Sequence, residues 1–369
     1  MLRFFIFLIK KQNVISKNPE KRDKIVKEFL DLKKRIQNNS LYEKMGETNL
    51  QLDLENFLEI RIDVLTQDIY TLPSEAYLLF EGQLVKFADG TAYANTDAVT
   101  LTKNGIMHLF REISYQLSNQ NVETINHQGK ATTMLRMLKY LNDFQLAQGL
   151  NQLWYKDTAT TAVLTDNSGF ALRKAYIIQK PTTKGTFSFC IPLRHIFGFC
   201  YDYDKVIFDF KHTITLVRKT DYDEIFKLST VADAKVNLNK ISLFIPHVLP
   251  ADAERFKLFN QIASKTNIPV CYCQRQCDTI SVQQSTRFSW DVCTSIGTER
   301  PRYVIVAFQT NKSGDQNTNP SIFDHCDLSN IYISLNSERY PAVDYNLSFP
   351  NQQFSRAYRD AADRDDWYR

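Results

Sequence analysis

Long apolar runs are missing from this 369-residue chain. None approaches the roughly 18 residues that a membrane-spanning helix needs. Glycine and proline are scarce, with eleven of each, which excludes collagen-like and low-complexity chains. There is no phosphate-binding P-loop, no GxGxxG dinucleotide motif and no GxSxG nucleophile elbow. The histidines, His108, His127, His195, His212, His247 and His325, form no metal pair of the HExxH kind. His108 and His212 fall on strand-like segments and are expected to be packed or turn residues. A secretory leader is not legible either. Residues 1–9 read MLRFFIFLI, followed by Lys10 and Lys11, with neither the longer apolar region nor the small-residue cleavage site that a leader needs. These residues are expected to form a short apolar extension.

Seven cysteines is an odd number, and their spacing gives no disulfide framework. They are expected to be reduced thiols in an intracellular protein. Cys271, Cys273 and Cys277 share a face at strand period, with Cys293 nearby. Structural zinc sites close on CxxC knuckles, which this spacing lacks, so buried thiols are the expectation, with no bound metal. Asp324, His325 and Cys326 carry the residue types of a nucleophile and its base. Adjacent residues point in different directions, so no dyad is expected. Asp363, Asp365 and Asp366 lack the Gly and Glu of a calcium loop and read as a solvated tail. No catalytic, cofactor-binding or metal-binding residue is assigned, and the chain is not expected to be an enzyme.

What is present is a core and an abundance of aromatic rings. Apolar residues make up 43% and charged residues 23% of the chain, enough to bury a core, and the length suits two domains. The 25 Phe and 18 Tyr favour strands, because flat rings suit a pleated, half-buried surface. The net charge of +4 is uneven. Residues 1–37 hold eleven Lys/Arg and four Asp/Glu, so the basic character belongs to the N-terminus and not to the body.

Asn18 and Pro19 signal a helix start. Ile25, Val26, Phe29, Leu32 and Ile36 then form one stripe of a basic amphipathic helix. It either packs on its own domain or docks on a neighbouring subunit, a membrane surface or nucleic acid. From residue 52 the period changes to two. Leu58, Ile60, Ile62 and Val64 should face a core, with Glu59, Arg61 and Asp63 outside. Further strands are expected at 76–87, 106–117, 122–127, 187–193, 206–210 and 212–218, and at 241–245, stopping at Pro246. A helix is expected over 132–150 and a hairpin over 162–179. A short helix over 250–264 should turn Phe256, Phe259 and Ile262 inward. Strands follow at 270–275, 288–292, 303–308 and 331–335, and the loop 311–320 should be polar and exposed. The pattern is all-β, with sandwiches.

Three blocks carry a family resemblance. The first runs Ile191-Pro192-Leu193-Arg194-His195-Ile196-Phe197-Gly198-Phe199, then Asp204 to Phe208 and Lys211 to Arg218. The second is Pro301 to Thr310. The third is Phe323-Asp324-His325-Cys326 followed by Leu335 to Pro341. Together they resemble double jelly-roll major capsid proteins, the group from Polinton (Maverick) elements that is similar to the capsid proteins of large DNA viruses. The resemblance spans about residues 50–360. It implies two tandem jelly-roll sandwiches, a homotrimer that tiles an icosahedral shell, and no catalytic residues. The partners implied are further copies of the chain and a minor capsid protein, and the place of action is the virion after intracellular synthesis. On this reading residues 1–47 are a basic arm, 48–265 the first jelly roll and 266–369 a partial second one. Family members continue with several more strands, so the second sandwich is expected to be open and incomplete, with 303–308 or 288–292 more exposed than its sequence warrants. Two other classes remain: a host-retained, non-assembling β-sandwich binding module, and a cupin-type enzyme, for which the scattered histidines supply no ligand set.

Overall fold

Strict alternation of apolar and polar residues builds the strands, and the buried halves of those strands build one large sandwich. In a computed structural model of the chain, the described residues are 2–13, 45–50, 58–65, 69–140, 144, 148–264, 270–283, 285–292 and 300–362. The predicted amphipathic helix, Cys293 and the acidic cluster at 363–366 lie outside them. The strands are β1 (Leu2–Asn13), β2 (Met45–Leu50), β3 (Glu59–Val64), β4 (Tyr70–Thr71), β5 (Tyr77–Lys86), β6 (Val99–Leu101), β7 (Phe110–Leu117), β8 (Gln120–Asn126) and β9 (Thr186–Pro192). After these come β10 (Ile207–Phe208), β11 (His212–Arg218), β12 (Ile225–Lys227), β13 (Ala234–Val248), β14 (Cys271–Val282), β15 (Arg300–Thr310), β16 (Ile333–Leu335) and β17 (Glu338–Tyr340).

The sandwich has two sheets. One runs β10-β4-β13-β5-β9, with β2 also paired to β13, and the other runs β3-β11-β7-β8. In β3, Ile60, Ile62 and Val64 are buried and Glu59 and Arg61 exposed, as the alternation predicts. Leu58 is the exception. It precedes the strand and is 65% exposed. Across the gap, Leu78, Phe80 and Leu84 of β5 are buried, and the Phe80 and Phe110 rings lie 5.8 Å apart. Each such side chain contributes about 1.5–3 kcal/mol by leaving water. The short pair β6–β12 is buried, with Phe226 edge-on to Phe170.

Several expected elements differ, each for a local reason. β13 does not stop at Pro246. Its pairing with β5 ends at Phe244, and beyond it the strand continues against β4, so the missing N–H falls where the partner changes. The expected hairpin over 162–179 is instead a helix, Ser168–Ile177. Asn167 caps it, its Oδ1 accepting from the Phe170 N–H at 3.0 Å. Arg173 and Lys174 are buried on the inner face of this helix, and that disguises its apolar period. The helix expected over 132–150 runs Gln128–Lys139. The strand expected from 106 begins only at Phe110, because Gly105–His108 is a helical turn. In the helix Asp252–Ala263, Phe256 and Phe259 point outward, 71% and 61% exposed. Leu258 packs against Tyr70, Leu72 and Val248, and the Ile262 side chain lies outside the described residues.

The second region is a three-stranded sheet, β14-β1-β15. Residues 2–13 are therefore a central strand and not a loose apolar extension. The expected strand at 288–292 is irregular chain. β14 and β15 both run antiparallel to β1 and are hence parallel to each other. β15 is half-buried on both faces. Tyr303, Ile305 and Ala307 lie against the main core, while Val304 and Val306 lie with Phe308 and Val282 in a small separate cluster. Phe288 stays 40% exposed. The hairpin β16–β17 and the helix Ser355–Ala362 follow, with Leu335, Tyr340, Val343 and Tyr358 exposed.

Candidate functional site

Among the buried polar groups of the described residues, three clusters tie separate elements together. The first lies inside the large sandwich. His212 on β11 accepts at Nδ1 from the Tyr115 hydroxyl at 2.7 Å, and its Nε2 lies 2.9 Å from Thr71 Oγ1. Thr71 Oγ1 in turn donates to the Ile207 carbonyl at 3.2 Å. These roles fix a neutral ring with the proton on Nε2. Burial holds the His212 pKa down at about 4, and His247 adds to the shift. The cluster looks like a relay, but every member is buried and paired, and it ties β4 and β10 of one sheet to β7 and β11 of the other. His108 is also buried, on the turn Gly105–His108, with its pKa lowered to about 3 by burial. Both histidines are packed, as expected from the sequence.

The second cluster is centred on Asp223. Its carboxylate accepts from Lys219 Nζ at 2.7 Å, Ser313 Oγ at 2.9 Å and the Gly314 N–H at 2.8 Å, with Lys130 Nζ at 3.8 Å. Burial alone would raise its pKa, but the two lysine charges prevail and hold it at about 2. At the adjacent Glu224 burial prevails over the pull of Arg218 and pushes the pKa up to about 8. The loop 311–320 is thus polar but docked, not free. Gln316 bonds both the N–H and the carbonyl of Ala234, and Lys227 Nζ reaches Asn317 Oδ1 at 3.1 Å.

The third cluster joins the two regions. Glu123 on β8 is fully buried. One carboxylate oxygen accepts from the Phe199 N–H at 3.0 Å and the other from the Arg275 N–H at 2.9 Å. Burial raises its pKa, and Arg275 and the surrounding N–H groups pull it part of the way back. The Arg275 guanidinium donates to the carbonyls of Arg194, His195 and Ile196. Asp202 accepts from the Cys273 N–H at 2.6 Å, and the Tyr272 hydroxyl donates to the Val122 carbonyl at 2.7 Å. A Cβ at Gly198 would overlap the Cys273 carbonyl oxygen, so β14 can approach this closely only with glycine there. The block 191–199, singled out in the sequence, is therefore the joint onto which β14 docks. Nothing in the pattern of that block pointed to Glu123 or Arg275. Each is an isolated charge in a strand, and the sign that could have found them is that each occupies an inward position.

The remaining candidates diverge. Cys271 is exposed, Cys273 half-buried and Cys277 buried, with burial raising the Cys277 pKa. Among the described residues, no group of three potential metal ligands converges. Asp324 turns to Lys312 and the Thr310 N–H, His325 accepts from the Asp327 N–H and stacks on Phe349, and Cys326 lies by Thr310 Oγ1. These three do not form a dyad. Among the described residues, no helix is long and apolar enough to cross a membrane.

An all-β chain whose buried charges bind strands together is the material of a sandwich scaffold. A protein-family comparison agrees: the double jelly roll-like domain matches residues 99–362. The chain belongs to that family, and the match spans both regions and the joint between them. A comparison with curated proteins finds no match. Among solved structures, the chain is similar to one in the Sputnik virophage (8% identity, 57% of this chain and 48% of that one, TM-score 0.41). It is also similar to PBCV-1 VP54 fitted into a Sputnik reconstruction (10%, 58% and 45%, TM-score 0.35). A third is the mavirus major capsid protein (10%, 59% and 50%, TM-score 0.33). The chain spans about half the length of these structures.

Proposed function

We propose that this chain is a structural, capsid-type protein and not an enzyme, encoded by a virus or an integrated virus-like element of the Polinton (Maverick) kind. The observation that carries the reading is the double jelly roll-like match over residues 99–362. The use of the buried ionisable groups supports it: in all three clusters they lock strands, loops and regions to one another. Residues 48–265 would form the first jelly roll and the chain from 266 would contribute to the second, with β1 added to it. The finer reading is a homotrimer that tiles an icosahedral shell, with a minor capsid protein as a second partner and the virion as its place of action after intracellular synthesis. The basic N-terminal segment would contact a neighbouring subunit, a membrane or nucleic acid.

Sedimentation of the purified chain across a range of concentrations tests this, with negative-stain imaging of the product. A species three times the 42.9 kDa chain mass, with a pseudo-hexagonal outline, is expected. A strict monomer at every concentration would overturn it and leave the non-assembling β-sandwich binding module as the reading.

A further inference from the structure

The least ordinary feature of the fold is the origin of the middle strand of the second sheet. β1 is antiparallel to β14 over residues 2–13, with Leu2 opposite Val282 and Asn13 opposite Cys271. On its other edge it pairs with β15 from Leu2–Thr310 to Lys11–Arg300. Its principal contacts are with these two strands, so it can be withdrawn as a unit. Without it, β14 and β15 face each other as two unpaired edges separated by one strand's width, a slot that only an extended segment fills. From Asn13 to Met45, where described chain resumes, lie residues 14–44. Those 31 residues reach at most about 110 Å when fully extended. Even a helix of about 20 residues there would be about 30 Å long, the diameter of a small domain.

We infer that β1 is an exchangeable strand: the slot between β14 and β15 accepts residues 2–13 of a second copy of this chain. The register is a property of the strand and the slot, not of the connection, so an exchanged strand makes the same ladder. Pairing across so large a sequence separation forms late in folding, because loop closure must precede it. During that interval the slot is open to any copy. In dilute solution the chain's own strand prevails through its effective concentration, on the order of millimolar for a short tether and lower for a longer one. Crowding of copies shifts the balance to exchange. The inference does not rest on the capsid reading, since strand exchange requires no shell.

The test uses a register pair that already contains one cysteine. Phe7 lies opposite Cys277, and opposed Cα atoms in an antiparallel ladder, about 4.5–5.5 Å apart, fall within disulfide range. Full-length Phe7→Cys chains, one batch ¹⁵N-labelled and one unlabelled, are mixed unfolded and refolded in a glutathione redox buffer from about 1 to 100 μM. Peptides joined through residues 7 and 277 are then identified by mass spectrometry. Mixed-isotope pairs that rise at least tenfold in share across that range are expected. Only same-isotope pairs at every concentration, or no 7–277 linkage at all, overturn the inference. So that a folding defect of Phe7→Cys leaves the test intact, Leu8→Cys with Gln276→Cys, another opposed pair, is run in parallel and read the same way.

Discussion

The large sandwich and the second sheet are made of similar strands but hold themselves differently. In the sandwich, two sheets face each other over one continuous core in which Phe80, Phe110, Ile113, Tyr115 and Leu243 are wholly inaccessible. In the second region the separate core reduces to Val282 and Phe308 with half-buried neighbours, and much of β15 rests on the first region instead. The difference teaches where stability resides. A sheet covered on one face by another sheet stabilises itself, whereas the three-stranded sheet depends on the joint at Glu123 and Arg275, on the docked loop 311–320, and on β1 arriving from the other end of the chain.

The sharpest way to break this comparison is to cut the same side chain from both cores. Phe80→Ala should cost about 3–5 kcal/mol, since the site is sealed between sheets and collapses poorly. Phe308→Ala should cost less than half of that, because its cluster is small and partly wetted. Urea unfolding of both variants checks the contrast, and equal losses would mean the second core is as well formed as the first.

The joint comes next. Arg275→Met removes the cation beside Glu123 and the donors to three carbonyls, and should cost about 3 kcal/mol. Hydrogen exchange at the Cys273 and Arg275 amides should then accelerate roughly a hundredfold, while amides in the centre of β5 and β13 stay protected. Uniform acceleration across both regions would show one cooperative unit and no separable joint.

The third contrast is in pH, and it narrows the gap between the regions. The His212 pKa falls from 6.5 to about 4 on folding. A depressed folded-state pKa means that the contribution is fully present above 6.5 and is lost as pH falls from 6.5 through about 4, by about 3 kcal/mol at most. His108 extends the same loss down to about 3. Both sit in the large sandwich, so acid should weaken the better-packed region first. Stability measured between pH 7 and 4 for the wild type and for His212→Gln checks it, and the variant should show a shallower slope.

Local pattern made much of this legible. The alternation in β3 and the strand at His212–Arg218, with His212 packed on it, follow from period and residue type, because a strand with one wet face must alternate. The misreadings share a cause. At Ser168–Ile177, buried Arg173 and Lys174 stand where an apolar residue would mark a helix, and only their tertiary partners, such as Asp157 at 2.6 Å from Arg173, make that burial tolerable. At Asp252–Ala263 the period offers Phe256, Phe259 and Ile262 as inward residues, whereas the neighbouring β4 and β13 take Leu258, which that reading passed over.

By itself the sequence determined an all-β chain, most of its strands, and the family resemblance carried by the block 191–199, because these depend on neighbours along the chain. Only the tertiary structure decided that this block is a joint, that Glu123 and Arg275 close it, and that residues 2–13 are the middle strand of a sheet whose other strands begin at 271 and 300. Those facts turn on pairings between residues more than seventy positions apart. Backbone hydrogen-bonding capacity is the same at every residue, so which strand fills a slot is settled by geometry in three dimensions and leaves no local mark in the sequence.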